Sequence, residues 1–185
     1  MKAFLHGPDL WYLTRAAGLV TLVLLTASMA LGLLNAGRFA TKRWPRFLVQ
    51  GLHRNLSLLA LFFLAVHVGT TVIDTYTSIS LANAIVPFSS PYKRLWLGLG
   101  AIASDLLIVI VLTSLVRQRI GHRLWRVIHW IGYACWPVAV AHGLGTGTDH
   151  GKFWVVVLTY TCIGAVVMAA AYRAVKLLPD RGLAP

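Results

Sequence analysis

The chain contains no glutamate, and all five of its acidic groups are aspartates. Carboxylate and thiolate are the common partners of a zinc site, and this sequence is short of both. Its two cysteines, Cys135 and Cys162, both lie inside apolar runs, which excludes a disulfide framework and any CxxC metal or redox pair. Charge of either sign is scarce at 12% of residues, against about 25% in a soluble domain. With 58% hydrophobic residues and a mean hydropathy of +0.73, the chain is no soluble globule. The net charge of +12 carries no nucleic-acid motif, and the basic residues sit between apolar runs rather than on one soluble face.

What is present is a series of apolar blocks long enough to cross a bilayer, which takes roughly 20 residues. Five are expected, at about Trp11–Leu34, Gly51–Ile73, Leu95–Val116, Leu124–Leu144 and Phe153–Leu177. A backbone in hydrocarbon must satisfy its own hydrogen bonds, so each reads as a helix. The fold expected is a single all-α membrane domain over residues 1–185, a bundle of five transmembrane helices. "TASMA" near the end of the first block resembles a cleavage site, but the apolar run is longer than a signal peptide's, and basic residues follow it. It reads as a retained helix.

Basic residues give the orientation. Twelve fall on one side, in the loops after the first and third spans and in the tail; five fall on the other. The positive-inside rule then places the N-terminus outside and the C-terminus inside. Spans two and four both run from inside to outside. Trp11, Trp44, Trp96, Trp125 and Trp154 lie near span ends, where interfacial tryptophans belong.

Four of the seven histidines fall within spans, where an ionisable side chain is costly and usually faces the bundle interior. His53 and His67 open and close "HRNLSLLALFFLAVH"; His129 and His142 do the same for "HWIGYACWPVAVAH". Fourteen residues separate the first pair, about 40° short of four turns, so both project from roughly one face, about 21 Å apart. Thirteen separate the second pair, which on an ideal helix leaves His142 about 140° out of line. Pro137, which cannot donate to the carbonyl of Tyr133, is the expected device that turns His142 back. His53 then faces His129 at the inner level and His67 faces His142 at the outer level.

Haem iron takes axial imidazoles from facing helices and needs a flat apolar slot. Gly132, Ala139 and Ala60, each near a histidine or between two, supply room for one. No CxxCH is present, so both haems would be b-type and held non-covalently. Arg54 and Arg126 adjoin the inner histidines, either as partners for haem propionates or as ordinary loop charge. Tyr133, Trp136, Phe62 and Phe63 either line the gap between haems or simply pack. Asp105, the acid well inside a span, is a functional position or a local hydrogen-bond partner of Ser104. Asp149 and His150 read as a solvated outer turn, with His6 also outside and His122 inside.

"HRNLSLLALFFLAVH" together with "RQRIGHRLWRVIHWIGYACWPVAVAHGLGTGTD" resembles the ferric reductase-like transmembrane domain, over spans two to five. The superfamily includes ferric reductases, the membrane half of NADPH oxidases, and the haem-binding membrane subunit of a periplasmic methionine sulfoxide reductase. The resemblance implies that His53, His67, His129 and His142 are axial ligands of two stacked b-type haems that carry electrons across the membrane. Ferric reductases usually continue into flavin- and nicotinamide-binding domains. Here the sequence ends at Pro185, and "GLGTGT" lacks the strand–glycine–helix context of a dinucleotide fingerprint. The donor is therefore expected to be a separate cytoplasmic flavin or iron–sulfur reductase. The acceptor is expected outside, ferric iron or a periplasmic or extracellular redox protein, with the chain in a bacterial plasma membrane. Bis-histidine iron has no free coordination position, so the chain is expected to transfer electrons rather than bind substrate. Two other classes remain open on sequence alone: a docking subunit that anchors a soluble enzyme, and a histidine-lined transporter of metal ions or protons.

Orientation is open to direct test. A single cysteine introduced as Gln118→Cys is expected to resist an impermeant thiol reagent applied from outside, and Ser89→Cys to react with it. The reverse labelling pattern overturns the assignment.

Overall fold

The computed structural model describes residues 8–74, 79–147 and 151–177, and these are all-helical. His6, Asp149 and His150 lie outside the described residues. In chain order the helices are α1 (Pro8–Ala36), α2 (Arg46–Ile73), α3 (Leu81–Ile85), α4 (Arg94–Leu115), α5 (Arg117–Ile120), α6 (His122–Trp130), α7 (Gly132–Thr146) and α8 (Phe153–Leu177). Four are long and apolar enough to span a membrane: Asp9–Ala36 within α1, then α2, α4 and α8. Together they make the chain an integral, multi-pass membrane protein.

The expected fourth span is two helices, α6 and α7, with Ile131 between them. The interruption is a local tightening. Ile131 N–H donates to Ile128 O at 3.0 Å and Ala134 N–H to Ile131 O at 2.9 Å, both three residues back rather than four. A turn wound at three residues instead of 3.6 adds about 20° per residue. That rotation works against the 140° misalignment of His142. The sequence assigned this task to Pro137, yet Pro137 lies inside the continuous helix α7. The change of winding is at Ile131, next to the first histidine of the pair.

Helices pack as two antiparallel hairpins, α1 against α2 and α4 against α7, with α8 laid on α1. Small residues line the first seam: Ala17, Thr21 and Ser28 of α1 and Ala60 of α2 are all buried. Close approach of backbones replaces hydrophobic driving force where lipid is the solvent. Leu33, Trp136, Val140, Val166 and Ala169 join α1, α7 and α8. Leu64, Leu107, Ile110, Val111 and Cys135 join α2, α4 and α7. Large apolar side chains remain on the outer faces, among them Phe62 at 60% and Met168 at 70% exposure, as a lipid-facing surface requires. Phe62 therefore points away from the bundle and does not line the histidine gap.

At one end of the bundle, Lys93 ties α4 to α7. Its Nζ donates to the carbonyls of Gly145 and Thr146, both at 3.3 Å, at the C-terminal end of α7. The ammonium meets orphan carbonyls at the negative end of the helix dipole. Deeper in, the Trp136 indole N–H donates to Thr26 Oγ1 at 2.9 Å, joining α7 to α1 through a buried bond. Thr26→Val keeps the shape and removes the acceptor. It is expected to cost about 1 kcal/mol, read as a lower thermal midpoint of the purified protein in detergent.

Candidate functional site

The four intramembrane histidines come together in the pairs expected from their spacing. The rings of His53 and His129 lie 6.0 Å apart, centroid to centroid, with planes at 77°. Those of His67 and His142 lie 6.4 Å apart at 78°. A first-row metal holds an imidazole nitrogen at roughly 2.0–2.1 Å, and the ring centre lies about 1.2 Å behind it. Two imidazoles on opposite sides of one such metal therefore place their centroids roughly 6.4–6.6 Å apart. The His67–His142 pair stands at that separation, and the His53–His129 pair is slightly closer.

Three of the four rings are held in the same way. His53 Nδ1 donates to Ser28 O, His67 Nδ1 to Thr14 O, and His142 Nδ1 to Trp96 O, each at 2.8 Å. A carbonyl can only accept, so the proton sits on Nδ1 and Nε2 keeps its lone pair. This is the arrangement of a histidine prepared to bind a metal through Nε2.

The accepting carbonyls belong to helices α1 and α4, and one turn beyond each comes a glycine. Gly32 follows Ser28, Gly18 follows Thr14, and Gly100 follows Trp96, in each case four residues on. A Cβ added at Gly32 would stand 3.3 Å from His53 Cε1. One at Gly18 would stand 2.9 Å from His67 Cε1, and one at Gly100 2.5 Å from His142 Cε1. Each glycine clears the space through which a ring reaches the carbonyl. Gly18 and Gly32 are fourteen residues apart, as are His53 and His67. On antiparallel helices this common spacing sets both sockets in register. Gly132, expected with Ala139 and Ala60 to leave room for a planar group, is not part of these sockets; a Cβ added there would meet only Ile110 Cδ1 at an ordinary 3.6 Å. The matched interval of fourteen was the available signal for Gly18 and Gly32.

His129 is the exception. Its Nδ1 is buried and has no hydrogen-bond partner. Its ring is stacked on Trp125 at 4.9 Å and 27°. Trp125 in turn donates from Nε1 to Ser114 Oγ of α4 at 3.1 Å.

Other expected positions are more peripheral. Arg126 is exposed and its guanidinium donates to His122 Nδ1 at 3.1 Å; Arg54 is exposed beside His53. Ser104 Oγ donates to Gly100 O, so it is not the partner of Asp105, and Asp105 lies on the same face of α4 as the exposed Ile108, Val109 and Leu112. Arg173 of α8, which sequence reasoning passed over, donates to the Tyr133 hydroxyl and lies 5.3 Å from that ring's centroid.

Chemically, each level offers two imidazoles and nothing more. Among the described residues no three histidine, cysteine or acidic side chains gather as a metal-binding group. A zinc site built from protein ligands takes three or four. A level of two facing imidazoles instead suits a metal whose remaining positions come with a planar macrocycle.

No curated protein and no solved structure matches the chain. A family model does: the ferric reductase like transmembrane component, over residues 17–140. The match begins inside α1, ahead of spans two to five on which the resemblance was read, and so takes in Gly18, Ser28 and Gly32. It includes His53, His67 and His129 and ends just short of His142. Family models of this kind describe membrane redox components that are generally haem-binding. With two thirds of its length matched, and the matched helices carrying the paired histidines, the chain belongs to the ferric reductase-like transmembrane component family.

Proposed function

We propose that this chain is a di-haem b-type membrane cytochrome. It carries electrons from a cytoplasmic reductase to an acceptor on the outer side. The observation that carries the reading is the pair of facing imidazole couples at 6.0 and 6.4 Å, three of whose four rings present Nε2 because Nδ1 is tied to a carbonyl. His53 and His129 would hold the inner haem, and His67 and His142 the outer one. When bound, the two groups supply one-electron iron centres with no free coordination position.

The rest of the work belongs to the chain. The carbonyls of Ser28, Thr14 and Trp96 fix ring plane and tautomer, and polarise the imidazoles toward stronger donation. Glycines 18, 32 and 100 keep those carbonyls accessible. The side chains of Leu64, Leu107, Ile110, Val111 and Cys135 exclude water from the interior between α2, α4 and α7. Arg54 and Arg126 are placed to pair with propionates at the inner level. In this reading α6 and α7 together make one crossing, giving five spans with the N-terminus outside and the C-terminus inside. The inner face then carries the loops rich in arginine and lysine. It would receive an acidic flavin or iron–sulfur reductase, and the outer face would serve ferric iron or an extracytoplasmic redox protein.

Visible spectra of the purified protein, oxidised and dithionite-reduced, with haem counted per chain, test the reading. Two low-spin b-type haems are expected. His53→Ala and His129→Ala should each remove one, and His67→Ala and His142→Ala the other. A colourless protein after haem-replete expression overturns the assignment and favours a transporter of metal ions or protons.

The sockets give a graded expectation. Gly100→Ala brings the tightest approach and should lower outer haem affinity on the order of ten-fold, the low end for disturbing a ligand's supporting contact. Gly18→Ala should have a smaller effect at the same level, and Gly32→Ala the smallest, at the inner one. Haem titration of the three apoproteins checks the order.

A further inference from the structure

Three of the paired histidines share one device, a carbonyl on Nδ1 reached past a glycine. His129 alone lacks it. No carbonyl of α1 or α4 meets its buried Nδ1. A ring with one free torsion between helices would then rotate about its Cβ–Cγ bond.

What touches the ring instead is Trp125, one turn earlier on α6. The two planes are 27° from parallel with centroids 4.9 Å apart, close enough for offset stacking. Trp125 is itself fixed from another helix, since its Nε1–H donates to Ser114 Oγ at 3.1 Å. Ser114 is fixed in turn, its hydroxyl donating to Ile110 O at 2.6 Å. The chain of contacts thus runs from the backbone of α4, through a hydroxyl and an indole, to the imidazole of His129. On its other side the indole meets His122 at 5.5 Å.

We propose that Trp125, steadied by Ser114, is the positioning residue for His129, setting by stacking the ring plane that a carbonyl sets for the other three histidines. This rests on the reading of His129 as an inner haem ligand. A stack fixes orientation but does not draw electron density toward Nε2 as an N–H···O=C bond does. The two levels therefore differ: both outer histidines are polarised by a carbonyl, and only one inner histidine is.

The test is electron paramagnetic resonance of the oxidised holoprotein, whose low-spin signals report the relative planes of the two axial imidazoles. The inner signal is first assigned as the one lost in His53→Ala. Trp125→Leu is expected to shift that signal, leave the outer one in place, and speed inner haem dissociation on the order of ten-fold. Trp125→Phe, which keeps an aromatic face against His129 and loses the Nε1 bond, should shift the inner signal less than Trp125→Leu does. Ser114→Ala removes that same bond and should shift the inner signal in the same direction, by about as much as Trp125→Phe. If Trp125→Leu does not fold, Ser114→Ala and Trp125→Phe decide the matter: an inner signal unchanged by Ser114→Ala overturns the proposal. Equal changes at both levels also overturn it, since they mark a general loss of packing. A wild-type protein without low-spin haem is a different outcome, and it removes the cofactor assignment itself.

Discussion

The architecture depends on one contact repeated three times: an imidazole N–H donated to a helix carbonyl that already serves its own helix. A carbonyl oxygen has two lone pairs, and in a helix one of them points outward past the next turn. In water that second site is satisfied by solvent. In hydrocarbon it is available to any donor that can reach it, and an interhelical bond there has no water to compete with. Reaching it requires the Cβ one turn on to be missing. Glycine in these spans is thus a condition of polar recognition between helices as well as of close packing.

The same contact ties the two helices of each hairpin together. The α1–α2 seam carries two histidine–carbonyl bonds at opposite ends, and the α4–α7 seam carries one at the end where Lys93 caps α7. Between them lies an apolar layer in which Trp136, by bonding Thr26, ties the second hairpin back to the first. The buried Nδ1 of His129, which has no such bond, marks the place where the pattern changes.

Much of this was legible in the sequence. Span positions followed from apolar length, and Phe153–Leu177 coincides with α8. The pairing of His53 with His129 and of His67 with His142 followed from two parallel helices with nearly equal histidine spacing. Where sequence reasoning went astray, tertiary contact decided. Pro137 was a sound reason to expect altered winding, but the lost hydrogen bond of a proline is tolerated inside α7, and the tight turn formed at Ile131 instead. Gly132 was singled out because proximity along one helix is visible in a sequence. The glycines that let the rings reach their carbonyls sit on other helices, and the role of Gly18 and Gly32 appears only once α1 is laid antiparallel on α2. Phe62 and Arg173 show the same limit, since the direction a side chain takes out of a helix is set by what surrounds it.

The placement of the sockets also divides each level between the two hairpins. Those for His53 and His67 lie in the α1–α2 hairpin. One imidazole at each level is thus oriented by α1 and α2 alone, through the carbonyls of Ser28 and Thr14. The ring that faces it comes from the other half of the bundle, so each level is shared between the two hairpins.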